Sequence, residues 1–120
     1  MLARAHRVTS GDDYRAAVRR GARAGVPGVV VSALARNDPS SPTRFGFIVS
    51  KRVGVAVVRN RMRRRLKSIS LELLDEVPTG YDIVFRMLPE SAAFDFATLR
   101  DRARAASASA LRRSRSAVNA

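Results

Sequence analysis

The stretch Thr43-Arg-Phe-Gly-Phe-Ile-Val-Ser50, followed by Lys51-Arg-Val-Gly-Val-Ala-Val-Val-Arg-Asn-Arg-Met-Arg-Arg-Arg-Leu-Lys67, decides how this chain folds. In its first part Phe45, Phe47 and Val49 alternate with Arg44, Gly46, Ile48 and Ser50. That period of two turns one side of a strand into a core. In the second part the period changes. Val58, Met62, Leu66, Ile69 and Leu73 are spaced four, four, three and four apart, one stripe of an amphipathic helix that continues to Val77. Pro78 and Gly80 end it, and Tyr81-Asp-Ile-Val-Phe-Arg-Met-Leu88 reads as the next strand, before Pro89. Two strands joined through a helix and sharing a sheet run parallel, with the helix crossing one face.

Working outward, Ser10-Gly-Asp-Asp supplies a cap and acidic first turn for a helix through Tyr14-Arg-Ala-Ala-Val-Arg-Arg20, and Gly21 stops it. Gly25-Val-Pro-Gly28 makes a turn, and the β-branched Val29–Ala35 segment a strand. The loop Asn37–Pro42 then places the strand from Thr43 antiparallel to it. Downstream of Asp95, the positions Phe96, Leu99, Ala103 and Ala106 fit a last helix. The expectation is an α+β fold, a mixed sheet of about four strands packed with helices. The element order is helix, strand, strand, helix, strand, helix. One domain spans residues 1–106, with residues 1–9 a flexible arm; residues 107–120, rich in Ala, Ser and Arg, are expected to be a disordered basic tail.

Lys and Arg number 23 against 10 Asp and Glu, so the formal charge is +13. Self-repulsion on that scale opposes compaction and calls for a polyanionic partner, nucleic acid first and an anionic membrane second. The absence of cysteine excludes disulfides, zinc knuckles and thiol nucleophiles. No apolar run reaches the roughly 18–20 residues that span a bilayer, and the N-terminus lacks a signal-peptide core, so the cytoplasm is the expected compartment.

The charge is concentrated. Residues 51–67 hold eight cations, Lys51, Arg52, Arg59, Arg61, Arg63, Arg64, Arg65 and Lys67, and no acid. On a helix, Arg59, Arg63 and Lys67 form a row beside the apolar stripe, Arg61 and Arg65 flank its other edge, and Asn60 and Arg64 lie further round. Like charges at Arg59/Arg63, Arg61/Arg65 and Arg63/Lys67 each destabilise by roughly 0.2–0.5 kcal/mol. A solvated face would interleave both signs, as Glu72, Asp75 and Glu76 begin to do one turn later. Guanidinium forks without acids suit phosphate oxygens instead. A membrane-surface helix would carry Trp or Phe on its apolar stripe, which this one lacks, and a DNA recognition helix would follow a short helix rather than two strands.

Phe47-Ile-Val-Ser-Lys-Arg-Val-Gly54, followed by Ala56-Val-Val-Arg-Asn-Arg-Met-Arg-Arg-Arg-Leu-Lys67, resembles the protein subunit of bacterial ribonuclease P. Arg59-Asn60-Arg61 stands at the Arg-Asn-Arg heart of that family's signature. Weaker similarity at Arg7-Val8, Asp13-Tyr14 and Tyr81–Arg86 extends it over about residues 4–106. The resemblance implies a helix, a three-stranded antiparallel start, a helix, a parallel strand and a helix, with a left-handed strand–helix–strand crossover where most are right-handed. It implies a subunit that assists an RNA enzyme in removing the 5′ leader of precursor tRNA, with the chemistry carried by the RNA and its Mg²⁺. The implied partners are the catalytic RNA and precursor tRNA, without a membrane or small-molecule substrate. Lys51, Arg52, Arg59, Asn60, Arg61, Arg63, Arg64 and Lys67 match RNA-contacting positions, and Arg65 is grouped with them. Tyr14 matches a leader-cleft aromatic, where a ring stacks on an unpaired base for about 1–3 kcal/mol. Arg15, Arg44 and Arg86 are grouped with it as cleft cations, while the strand pattern favours Phe45 and Phe47 as core.

Three positions depart from the family's pattern: Val55 replaces an Asn, Val18 an aromatic and Ser32 a residue often aromatic. Fewer rings shift the expected leader binding toward electrostatics, dependent on salt and little on base identity. A ribosomal or other structural RNA-binding protein shares the charge pattern but not the Arg-Asn-Arg context. A protein nuclease has little to build on. The one histidine, His6, lies in the arm, where a general base is hard to hold in position. Asp12 and Asp13 read as helix capping, and Glu72, Asp75 and Glu76 as a polar helix face.

Overall fold

The computed structural model describes residues 2–119. A short 3-10 turn at Arg4–His6 leads into α1 (Gly11–Arg20), β1 (Ala22–Val26), β2 (Val29–Ala35), β3 (Arg44–Ile48), α2 (Ala56–Glu76), β4 (Tyr81–Met87) and α3 (Phe96–Asn119), with a second 3-10 turn at Pro89–Ala93. The α+β class and the mixed four-stranded sheet stand as expected. Among the described residues no helix is long and apolar enough to cross a membrane.

The strand order is β1-β2-β4-β3. This corrects one expectation: β2 and β3 are not neighbours across their loop, because β4 enters between them. It pairs antiparallel with β2, from Val29↔Met87 to Ala35↔Tyr81, and parallel with β3, from Arg44↔Asp82 to Ile48↔Arg86. β4 carries the longest buried run, Asp82 to Phe85, so a central position covers both of its faces. The residue pattern had also shown no strand over Ala22–Val26. Its alternation of small residues is weak, yet it pairs with β2 throughout. The hairpin closes at Pro27-Gly28, where Gly28 adopts φ +87°, the left-handed conformation that glycine tolerates after a turn proline.

The register sorts the two faces. Phe45, Phe47, Ile83, Phe85, Val29, Val31 and Ala33 join one core with Met62, Leu66, Ile69 and Leu73 of α2 and Leu99, Ala103, Ala106 and Ala110 of α3. Phe45 and Phe47 both stack on Phe85, with ring centroids 6.5 and 5.9 Å away. The α2 stripe is therefore core, with Val58 packed at its margin. Burying each such side chain contributes about 1.5–3 kcal/mol, so four of them outweigh the three like-charge pairs on the same helix several-fold. Packing, not propensity, holds α2.

Among the described residues, both segments expected to be loose are structured. The arm is fixed: Leu2 is buried, Val8 N–H donates to the Phe45 carbonyl at 2.9 Å, and His6 Nδ1 lies 2.7 Å from the Thr43 carbonyl. The segment from Ser107, read as a tail outside the domain, is the second half of α3; Ser107, Ala110, Leu111 and Ser114 are buried. Its small side chains look poor for a core, but they let the helix lie close against β1 and β2. Glu72 and Glu76 of α2 reach across to α3. Glu72 accepts from Arg100 at 2.6 Å and lies 3.6 Å from Arg104, which also pairs with Glu76. The hydrogen bond from Arg100 holds the Glu72 carboxyl below its ordinary pKa.

Candidate nucleic-acid interface

The basic segment divides into a turn and a helix. Lys51 and Arg52 stand on the turn after β3 rather than on the helix, both exposed, while Val53 between them and the helix is buried and anchors the turn. α2 starts at Ala56 with Val55 as its cap residue. Because Val55 carries no acceptor and the first turn holds no acid, the helix opens with free amides and two exposed valines, Val55 at 71% and Val57 at 75%. An Asn at this position would accept from the helix. Val55→Asn is accordingly expected to raise stability by about 1 kcal/mol in chemical denaturation.

Along α2 the guanidinium groups separate by their partners. Arg59 Nε donates to the Gly54 carbonyl at 3.1 Å, and Arg63 donates to the Val49 carbonyl and to Asn60 Oδ1, each at 3.3 Å. Arg65 reaches the Phe94 carbonyl at 3.4 Å on the other flank. These bonds go to neutral acceptors and leave the positive charge in place. Among the described residues, Lys51, Arg52, Arg61, Arg64 and Lys67 have no side-chain hydrogen bond within the chain, and no carboxylate lies within 4.0 Å of any cation in residues 51–67. Every paired arginine lies elsewhere: Arg15, Arg36, Arg44, Arg100 and Arg104. The fold thus places its acids away from one face. That face is a cationic surface with Arg61, Arg64 and Asn60 exposed at its centre.

The candidate cleft residues do not all converge. α1 crosses the sheet face opposite α2 and α3, over Ser32 and Val84, which are buried with Ala17. Tyr14 packs its ring on Gly46, where an added Cβ would sit 2.6 Å from Tyr14 Cε1, and its hydroxyl accepts from Phe47 N–H at 3.1 Å. Glycine is needed there to admit the ring. Arg86 is exposed on the same face, in the row Ile48–Arg86–Val30. Val18, one turn beyond Tyr14, is half-buried on the same side of α1. Arg44 lies on the other side of Tyr14, four β4 positions or about 13 Å from Arg86. It is held by Asp82, with Nε 2.8 Å from Oδ1 and an Nη 2.7 Å from Oδ2, and lies 3.3 Å from Asp13. That hydrogen bond to Asp82 raises the Arg44 pKa further. Arg15 turns back to pair with Asp12 in the first turn of α1. Tyr14 and Arg86 therefore share the sheet face that α1 covers, whereas Arg15 and Arg44 are engaged by the chain's own carboxylates. The residue pattern gave no sign of this, because Arg44 and Asp82 meet only through the β3–β4 register.

Comparison with known proteins agrees with this architecture. The family model "Ribonuclease P" matches residues 2–111. The ribonuclease P protein component of Clavibacter michiganensis subsp. michiganensis is 60% identical over 97 residues, covering 79% of this chain and 85% of that protein. The protein of the same description from Kocuria rhizophila is 43% identical over 113 residues, covering 94% and 98%. Among solved structures, the Staphylococcus aureus RNase P protein superposes with a TM-score of 0.76 at 18% identity, covering 86% of this chain and 93% of that one. The RNase P protein from Thermotoga maritima gives 0.69 at 23% identity, covering 80% and 89%. At those identities the structures speak for the fold alone.

Proposed function

The chain belongs to the ribonuclease P protein family, and from that premise we propose that it docks the catalytic RNA of the enzyme on the open cationic face of α2. In this reading Arg61 and Arg64, with Lys51, Arg52, Asn60 and Lys67, contact RNA phosphates. Arg59, Arg63 and Arg65 are held in place by backbone carbonyls and present their remaining N–H groups to the same strand. The observation that carries the reading is the charge partition: the carboxylates within reach of arginine pair with Arg15, Arg36, Arg44, Arg100 and Arg104, and among the described residues no cation of 51–67 has a carboxylate within 4.0 Å, Arg65 alone being near enough to Asp95 to help lower its pKa. A protein that needed only solubility would gain from interleaving its acids there.

The 5′ leader of precursor tRNA is assigned to a groove on the sheet face beside α1, next to the half-buried Tyr14 and the exposed Arg86. With Val18 and Ser32 in place of rings, the groove stacks little and binds mainly through charge. Mg²⁺ belongs to the RNA in this proposal. Among the described residues no three His, Asp or Glu side chains come together as a ligand set, so no step is assigned to a metal held by the protein. The protein's part is to screen one polyanion from another and to orient the leader.

Reconstitution tests this directly. The protein alone is expected to leave precursor tRNA uncut. Added to the catalytic RNA at low Mg²⁺ concentration, it is expected to accelerate leader removal, the more so at low salt. Cleavage by the protein without RNA would overturn the assignment.

A further inference from the structure

Five phenylalanines and two tyrosines are the aromatic residues of this chain, which has no tryptophan. Packing accounts for all but one of them. Phe45 and Phe85 are buried, Phe47, Tyr81 and Phe94 lie against the core, and Tyr14 sits on Gly46. Phe96 is the exception: it is 38% exposed and takes no part in the core. A single apolar side chain on a surface is ordinary, so the weight falls on where this ring stands and how firmly it is held.

Phe96 opens α3 beside the cationic flank of α2. Two residues earlier, the Phe94 carbonyl accepts from Arg65 at 3.4 Å, which ties the entry of α3 to the edge that carries Arg61 and Arg65. The Phe94 ring is wedged against the β1–β2 turn, where a Cβ on Gly28 would sit 2.5 Å from it, and Arg102 stands 4.7 Å from its centroid. Asp95 then caps α3, its side chain accepting from Thr98 N–H at 2.8 Å and its carbonyl from Leu99 N–H at 3.0 Å. The hydrogen bond from the Thr98 backbone, with a smaller pull from Arg65, holds the Asp95 carboxyl below its ordinary pKa. The backbone on both sides of Phe96 is thereby fixed, and an exposed ring presented in this way has little freedom left to lose on binding.

The neighbours select the ligand. Arg61 and Arg65 attract a polyanion, while the Asp95 carboxylate keeps phosphate off the ring itself. A nucleic-acid strand meets both conditions by laying its backbone on the guanidinium groups and turning a base onto the ring. An acidic peptide supplies the charge without a flat partner. A membrane needs a wider apolar face, and the other exposed large apolar residues, Val55 and Val57, stand more than two helical turns before Arg65. We propose that Phe96 is a stacking platform for one unpaired base of an RNA strand whose phosphates lie on Arg61 and Arg65. This rests on the RNA-docking reading of α2 and adds to it a contact with a base where α2 meets α3. Every base has a π face, so the platform tolerates any of the four.

Because the chain has no tryptophan, Phe96→Trp reports on this position alone. Titrating the full-length Phe96→Trp protein with the catalytic RNA is expected to quench the indole emission to a plateau, over the concentrations at which filter binding saturates and with the parent's affinity. Long-chain inorganic polyphosphate, which offers phosphates and no bases, is expected to bind and leave the emission where it was. Phe96→Leu keeps an apolar side chain without a π face and is expected to weaken RNA binding about tenfold, within the range for one base stack. Its slope of log affinity against log salt stays at the parent's value, because stacking releases no counterions, whereas Arg61→Ala makes that slope shallower by about 0.7–0.9. The proposal is overturned if the emission of Phe96→Trp is constant while RNA is bound, if polyphosphate quenches it as fully as RNA does, or if Phe96→Leu binds RNA as tightly as the parent. The two readings fail separately. Undiminished RNA affinity of a variant combining Arg61→Ala with Arg64→Ala would count against docking on α2. Loss of affinity there, with Phe96→Leu still at the parent's affinity, would remove the stack and leave the docking face standing.

Discussion

Arg61→Ala combined with Arg64→Ala is expected to weaken binding to the catalytic RNA about 100-fold at moderate salt while slightly raising the stability of the free protein. The two effects have one cause. Both side chains are exposed and have no hydrogen-bonding partner among the described residues, so removing them breaks no contact there. In the complex, each lost charged contact weakens affinity about tenfold, the low end for a hydrogen bond to a charged group. In the free helix, Arg61 stands four residues from Arg65 and Arg64 three from Lys67, and relief of such like-charge pairs returns a few tenths of a kcal/mol. The dependence of log affinity on log salt should also become shallower by about 1.4–1.8, two phosphate contacts' worth. Filter binding across a salt series together with chemical denaturation gives both numbers. A double variant that unfolds, or one that binds as tightly as the parent with an unchanged salt slope, would show that the exposed guanidinium groups of α2 do not hold RNA. Arg59→Ala is a less clean probe, since Arg59 also closes the turn through the Gly54 carbonyl.

Asp82→Ala should have the largest effect on stability, about 3 kcal/mol or more. The Asp82 side chain is only 7% exposed and accepts two hydrogen bonds from Arg44, itself 20% exposed. Removing the carboxylate leaves a mostly buried guanidinium with only the more exposed Asp13 as an ionic partner, and breaking such a pair from one side costs about 3–5 kcal/mol. Against a typical total of about 5–15 kcal/mol that is a large fraction. Replacing both partners avoids the stranded charge, so Asp82→Ala with Arg44→Met is expected to recover much of the loss. Denaturation midpoints of the two single variants and the double variant measure the coupling. Additive losses would mean that the pair is not coupled. The same carboxylate shows why Arg44 is a poor candidate for the leader groove, since Asp82 occupies its Nε edge and Asp13 lies 3.3 Å from its other Nη.

Local period and cap chemistry made much of this protein readable from residues alone. The four-four-three-four spacing from Val58 to Leu73 determined both the buried stripe of α2 and which arginines face outward, because a helix relates positions only a few residues apart. Ser10 announced the start of α1, and its hydroxyl does accept from Asp13 N–H at 3.0 Å. The order of strand, helix and strand around residues 51–67 required β3 and β4 to be parallel if they shared a sheet. What the tertiary structure alone decided are relations over long separations. β4 enters between β2 and β3. The arm is held by a strand edge 38 residues away, from Arg7 to Phe45, and α3 continues past Ser107 with its small residues Ala106, Ser107, Ala110 and Ser114 buried. The sorting of the arginines belongs to this class as well. Glu72 meets Arg100 across 28 residues and Asp82 meets Arg44 across 38, so only folding reveals which cations are already neutralised. Composition counts charges, but a Coulomb interaction depends on distance, and distance between remote residues is a property of the fold.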